Sequence, residues 1–177
     1  PLSPRFIDRW AARVRDRTTW RDLGYMLLFG PVGIVAGTIT IGLWSAAVAA
    51  ALRFKDRPVV CVAGDVDFLM NGQELATAAQ YGADLLVILV DNGAYGTIRM
   101  HQERDYPKRV SATALANPDF VKLAEAYGGW AERVESTEQF APALARSMER
   151  EGIRMLHCVT DVEVITNQTT IAAIHAR

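Results

Sequence analysis

The chain has 177 residues, half of them hydrophobic and 22% charged, with a formal net charge of -1 at pH 7. That length supports one domain with a substantial core, and the composition is that of a globular protein rather than a disordered one. The small net charge supplies no basic field for nucleic acid. Cys61 and Cys158 both sit in apolar runs, and neither has a second cysteine or a histidine at metal-site spacing. They read as buried free thiols of a reducing, cytoplasmic compartment rather than as a disulfide or zinc site.

Taken in order, the chain changes character early. Residues 5–22 are rich in arginine (Arg5, Arg9, Arg13, Arg15, Arg17, Arg21), and no charged side chain occurs from Leu23 to Leu52. That run exceeds the ~20 residues needed to cross a bilayer, and its arginine-rich front would keep the N-terminus cytoplasmic. The alternative is a buried loop and helix, with Pro31 and several glycines interrupting any span. Residues 1–45 are therefore set apart as an atypical N-terminal segment, either buried or membrane-anchoring, and 46–177 as the domain proper.

From Asp56 onward strands and helices alternate. Pro58–Ala63 is a short apolar run ending at glycine, as expected of a strand buried on both faces. Asn71 to Tyr81 predicts a helix, with Asn71 and Glu74 as a capping pair and Gly82 as the stop. Leu85–Val90 predicts a second buried strand. Asn117-Pro118 predicts an N-cap and first helical position, with Phe120, Leu123, Ala124 and Tyr127 on one face and Gly128 at the end. Ser136 with Gln139 opens another helix carrying Phe140, Leu144 and Met148, and Ile153–Val159 predicts a last strand. The pattern is α/β, a three-layer parallel sheet flanked by helices.

Two strand ends carry the chemistry. Ala63-Gly64-Asp65-Val66-Asp67 closes the first strand, and Val90-Asp91-Asn92-Gly93-Ala94 closes the next. In open α/β sheets the carboxyl edge is where ligands bind, and a helix start there offers free N–H groups to an anion. A carboxylate and an amide oxygen delivered to one edge form a suitable site for Mg²⁺, which takes hard oxygen ligands and bridges protein to phosphate. Read alone, each piece is also an ordinary turn. His101 reads as part of a polar helix face, His157 as a packed strand residue, and Lys108-Arg109 as a solvated loop.

The stretch from Gly64 to Gly129 resembles the diphosphate-binding domain of acetolactate synthase-like thiamine-diphosphate enzymes, whose signature is GDG, a spacer of about two dozen residues, and NN. The resemblance runs from about residue 46 to 165. It implies the thiamine-diphosphate-binding fold, with thiamine diphosphate and Mg²⁺ as cofactors. Asp65 and the Asn92 side chain would hold the metal together with the backbone carbonyl of Ala94. Gly64, Val66, Asp67 and Phe68 would line the diphosphate pocket, with Tyr95 and Met70 close by. The implied function is that of a 2-oxo-acid decarboxylase or carboligase.

Three departures stand out against that family. Val66 replaces the third glycine of GDG, which would cost about 1–3 kcal/mol if that position needs positive φ. Asp91 replaces the first asparagine of NN, where an extra carboxylate strengthens metal binding or repels the diphosphate. Upstream, Gly37–Leu43 stands loosely where the family carries SGSMGYG, so that Ile39 would be the apolar support of the cofactor. Activation in the family needs a glutamate from a pyrimidine-binding domain, usually on a partner subunit. With about 45 residues ahead of the match, the resemblance implies that domain on another chain or elsewhere in the parent protein, in a homo- or hetero-oligomer. The rival readings are a non-catalytic cofactor-binding module and a membrane-anchored fusion.

Overall fold

The computed structural model describes residues 45–165 and 169–176, which fall within the compact unit Ile41–Arg177. In chain order these residues form α1 (45–53), β1 (Val59–Gly64), α2 (Asp65–Asn71), α3 (Glu74–Gln80), β2 (Leu85–Asp91), α4 (Gly96–Asp105) and α5 (Phe120–Ala126). Then follow β3 (Trp130–Val134), α6 (Thr137–Met148), β4 (Ile153–Val159) and α7 (Ile171–His175). The segment 1–44, with Ile39 and most of the apolar run 23–52, lies outside the described residues. Among those described, no helix is long and apolar enough to cross a membrane.

The four strands make one sheet in the order β1-β2-β4-β3, and all three pairings are parallel. Every strand therefore ends on the same rim. Helices cover both faces, giving the three layers expected. On one face Val48 and Ala51 of α1, Phe68 of α2, Leu75 and Ala78 of α3, and Phe120 and Ala124 of α5 bury against Leu85, Val87, Leu89 and Met155. On the other, Ala143 of α6, with Phe140 and Leu144, covers Leu86, Val134 and Leu156. The apolar side chains of α5 recur every three to four residues, so one stripe meets the sheet.

The structure corrects several expectations. β1 is not buried on both faces: Val60 and Val62 are 48% and 69% exposed. β1 is an edge strand of the described sheet, and the second face is covered by α6 over the β3–β4 half. The helix expected over Asn71–Tyr81 is present as Glu74–Gln80, and Asn71 is instead the last residue of α2. Asn71 does not cap α3; its amide donates to Ser45 Oγ at 2.9 Å and its oxygen accepts from Gln73. The N-cap of α5 is Asp119, accepting from the Lys122 N–H at 3.1 Å, not Asn117. β3 was not foreseen, because Trp130–Val134 is short, polar and lacks a clean alternation. Cys61 and Cys158 are free thiols, half-buried rather than buried, and burial pushes both upward in pKa.

Beside the rim, α4 is tied to α7 through one buried acid. Glu103 accepts from Arg99 Nε at 2.8 Å, from the Lys108 backbone N–H at 2.8 Å and from His175 Nε2 at 2.7 Å. The loop residue Lys108 thus acts through its backbone, at φ 61. The Lys108 N–H is the main influence holding the Glu103 carboxyl below the usual glutamate range; His175 and Arg99 add to it against the opposing effect of burial.

Two outcomes follow from this packing. Phe68→Ala, which empties a fully buried ring site, should lower unfolding free energy by about 3–5 kcal/mol in denaturant titration. Glu103 has a depressed folded-state pKa, so its stabilisation is present above the unfolded value of about 4.3 and lost as pH falls through the folded value. Glu103→Gln should therefore be less stable than the wild type at pH 7 and show a shallower further decline below about pH 4, read from melting temperature against pH.

Candidate functional site

Register alone brings the two predicted strand ends together. Gly64 pairs with Val90, so Asp65 and Asp91 leave adjacent parallel strands side by side. Asp65 enters a cleft of about 370 Å³ lined also by Gly64, Val66, Asp67, Asn92, Ala94 and Tyr95, together with Gly96, Thr97 and Ile165, while Asp91 stands behind the lining. Of the residues singled out from sequence, Phe68 lies below the cleft with its side chain in the core. Met70 is exposed and outside the lining.

The chain reaches this geometry through tight local turns. Asp91 Oδ1 accepts from the Gly93 N–H at 2.8 Å, and Asn92 Oδ1 accepts from the Ala94 N–H at 3.0 Å. Gly93 has φ 63, which L side chains rarely adopt. Gly96 opens α4 so close to Asn92 that an added Cβ would stand 2.8 Å from Asn92 Nδ2. The loop ahead of α5 is then laced onto this turn: Tyr95 N–H donates to Thr113 O at 3.0 Å and Leu115 N–H to Gly93 O at 2.8 Å.

That lacing delivers Asn117, which sequence reasoning assigned to a helix cap. Its Nδ2 donates to Asp65 Oδ2 at 2.7 Å and to Asp91 Oδ1 at 2.8 Å. His157, read from sequence as a packed strand residue, is packed: it is 2% exposed, with Phe120 edge-on at 5.1 Å. It is also polar in its role. His157 Nε2 donates to Asp91 Oδ2 at 2.8 Å, while Nδ1 is buried without a hydrogen-bond partner. Position in the strand gave a hint, since His157 pairs with Leu89 two residues before Asp91. Asn117 gave none, because Asn-Pro ahead of an apolar stripe already reads as a helix start. His101 stands on the exposed side of α4, its Nδ1 at 2.9 Å from Arg104.

The electrostatics of the two acids differ. Burial pushes the Asp65 carboxyl above the usual aspartate range, and the neighbouring Asp91 adds to that, against the pull of the Asn117 amide. At Asp91 burial acts the same way, but the donors His157 and Gly93 N–H, with Asp65 and Asn117, outweigh it and hold the carboxyl low. Two carboxylates this close favour one positive charge between them, a proton or a cation. The hard oxygens of Asp65, Asn92 and the Ala94 backbone at the same cleft are the donor types a magnesium ion takes, so the residues fit that ion. Val66 has helical rather than positive φ, so the backbone strain considered from sequence does not arise. What remains is its side chain in the cleft wall.

Known proteins resemble this chain over the same region. An acetolactate synthase large subunit of Parasynechococcus marenigrum is 38% identical over 68% of this chain and 20% of its own length. Acetolactate synthase isozyme 2 large subunit of Escherichia coli is 36% identical over 71% and 23%. Among solved structures, the thiamine diphosphate-dependent 4-hydroxybenzoylformate decarboxylase of Rhodococcus jostii superposes with a TM-score of 0.59 at 29% identity, covering 66% of this chain and 22% of that one. Benzoylformate decarboxylase from Polynucleobacter necessarius gives 0.60 at 25% identity, over 67% and 23%. The chain thus spans about a fifth of the length of the relatives it matches. The family described as thiamine pyrophosphate enzyme, C-terminal TPP binding domain, matches residues 9–158, beginning well ahead of residue 46. With its parallel sheet and its acid-lined rim cleft, the chain belongs to the C-terminal TPP-binding domain family of thiamine pyrophosphate enzymes, of the acetolactate synthase-like kind.

Proposed function

We propose that this chain is the diphosphate- and Mg²⁺-binding portion of a 2-oxo-acid decarboxylase or carboligase, completed by a pyrimidine-binding domain on another chain or elsewhere in the parent protein. The observation that carries this reading is the meeting of Asp65, Asn92 and Ala94 in a single rim cleft, with Asp91 joined to Asp65 through Asn117. Asp65, Asn92 and the Ala94 carbonyl would hold the metal. Backbone groups of Gly64, Val66, Asp67 and Phe68 would face the diphosphate, with Tyr95 at the mouth and Ile39 as apolar support.

When bound, the cofactor supplies the electron sink for making or breaking a bond beside a carbonyl. The chain's own work is to bind and orient. Asp65, Asn92 and the Ala94 carbonyl would offer hard oxygens to a magnesium ion, whose charge would offset that of Asp65 and the neighbouring Asp91. The turn Asp91–Ala94 is held by its own hydrogen bonds, and order already built into a site lowers the entropic cost of binding. No residue here is assigned the proton transfer at the reactive carbon. Positioning is worth little without the other half of the site, and so turnover requires the partner, in a homo- or hetero-oligomer. A cytoplasmic location suits the free thiols Cys61 and Cys158.

A second reading, a cofactor-binding module without catalysis, is favoured by one observation: the Val66 side chain stands in the cleft wall. Calorimetric titration with Mg²⁺ and thiamine diphosphate separates the cases. Wild-type protein should bind the pair, and Asp65→Ala should abolish metal-dependent binding; unchanged affinity in that variant refutes the metal assignment. Val66→Gly should change affinity little if the cleft accommodates the natural side chain. A gain of about tenfold or more, roughly 1.4 kcal/mol, would favour the impaired module.

A further inference from the structure

We propose that Asn117 is a positioning residue for the metal-binding carboxylate, held in place through Asp91 and His157; this rests on the metal reading given above. An asparagine amide has two N–H groups. Here Nδ2 makes two carboxylate contacts, Asp65 Oδ2 at 2.7 Å and Asp91 Oδ1 at 2.8 Å. The remaining oxygens are also engaged. Asp65 Oδ1 accepts from the Val66 N–H at 2.9 Å, and Asp91 Oδ2 meets His157 Nε2 at 2.8 Å. His157 is fixed by burial and by the Phe120 ring. The chain of contacts thus runs from β4 through the end of β2 to the end of β1, and Asn117 links it to the loop before α5.

A free carboxylate rotates, and a divalent ion needs its lone pairs aimed. Hydrogen bonds to the far oxygens of ligating acids supply that aim, and their loss commonly weakens metal affinity by about 10- to 100-fold. Asn117 does more than aim Asp65. By donating to both acids it holds like charges together without neutralising either, leaving the net charge for the cation. The same contacts give Asp91 a defined role at the position where the family has asparagine. Its carboxylate is bound on both oxygens by His157, Asn117 and the Gly93 N–H, and it is not part of the cleft lining. Asn117 does this work although it does not line the cleft.

The test uses the full-length chain with Mn²⁺ as a visible stand-in for Mg²⁺, in the presence of thiamine diphosphate, with free Mn²⁺ read by electron paramagnetic resonance. Asn117→Ala should weaken Mn²⁺ binding about 10- to 100-fold. Asn117→Asp, the same size but with no donor, should do so at least as strongly. Asp119→Ala removes the nearby helix cap without touching either acid, and its Mn²⁺ affinity should match the wild type. Melting temperatures identify any variant that fails to fold, and a folded Asn117→Asp then decides. Wild-type affinity in a folded Asn117→Ala or Asn117→Asp overturns the proposal while leaving the metal reading intact. Equal losses in Asn117→Ala and Asp119→Ala also overturn it, since a loosened loop would then suffice. A wild-type chain that takes up no Mn²⁺ overturns both readings.

Discussion

Two carboxylates ending adjacent parallel strands repel one another, and the fold holds them together through a single amide nitrogen. Asp65 and Asp91 share Asn117 Nδ2, and everything else at the rim is arranged so that this contact can exist. Parallel pairing puts both acids on one side. The backbone bonds between the Gly93–Tyr95 turn and the 113–115 segment bring the Asn117 loop across to them. His157 on β4 meets Asp91 at the end of the neighbouring β2. In a setting of reduced dielectric such a network is strong when every member is satisfied, and costly when one is missing.

The polar network stands directly on the apolar core. Phe68 meets Phe120 edge-on at 5.8 Å, and Phe120 meets His157 edge-on at 5.1 Å. Phe68 belongs to the helix that starts at Asp65, and Phe120 to the helix that follows Asn117. Packing in the core therefore fixes the two elements whose ends carry the site, which is how a scaffold holds site geometry more tightly than loops alone can. On the far side of the cleft, Glu103 ties α4 to α7, steadying the wall that begins at Gly96 and the segment bearing Ile165.

The two departures from the family signature have different physical consequences. Val66 lies in helical backbone, so a β-branched residue is tolerated there conformationally and acts through its volume in the cleft. Asp91 brings a charge, and that charge is matched by donors from His157, Gly93 and Asn117 that hold its pKa down. The first is a question of space, the second one of electrostatics already answered within the protein.

Much of this was legible in the residues. Buried apolar runs separated by capped helices predicted a parallel α/β sheet, because strand and helix periods differ and short links between them permit little else. Asp65 and Asn92 at successive strand ends predicted a shared rim, since register in a parallel pair follows from the strands themselves. The resemblance to thiamine-diphosphate enzymes rested on residues contiguous in sequence. The tertiary structure decided what local pattern cannot carry. Asn117 obeys the rule for a helix cap, and Asp119 takes that role two residues later because Asn117 is drawn to acids far away in the chain. His157 looks like any buried strand residue until Asp91 is placed on the neighbouring strand. The exposure of Val60 and Val62 on β1 depends on which strands and helices end up beside it, not on their own sequence. Local preference is worth fractions of a kcal/mol per residue, and a buried hydrogen bond to a charge about 1.5–3, so long-range contacts override it at the site.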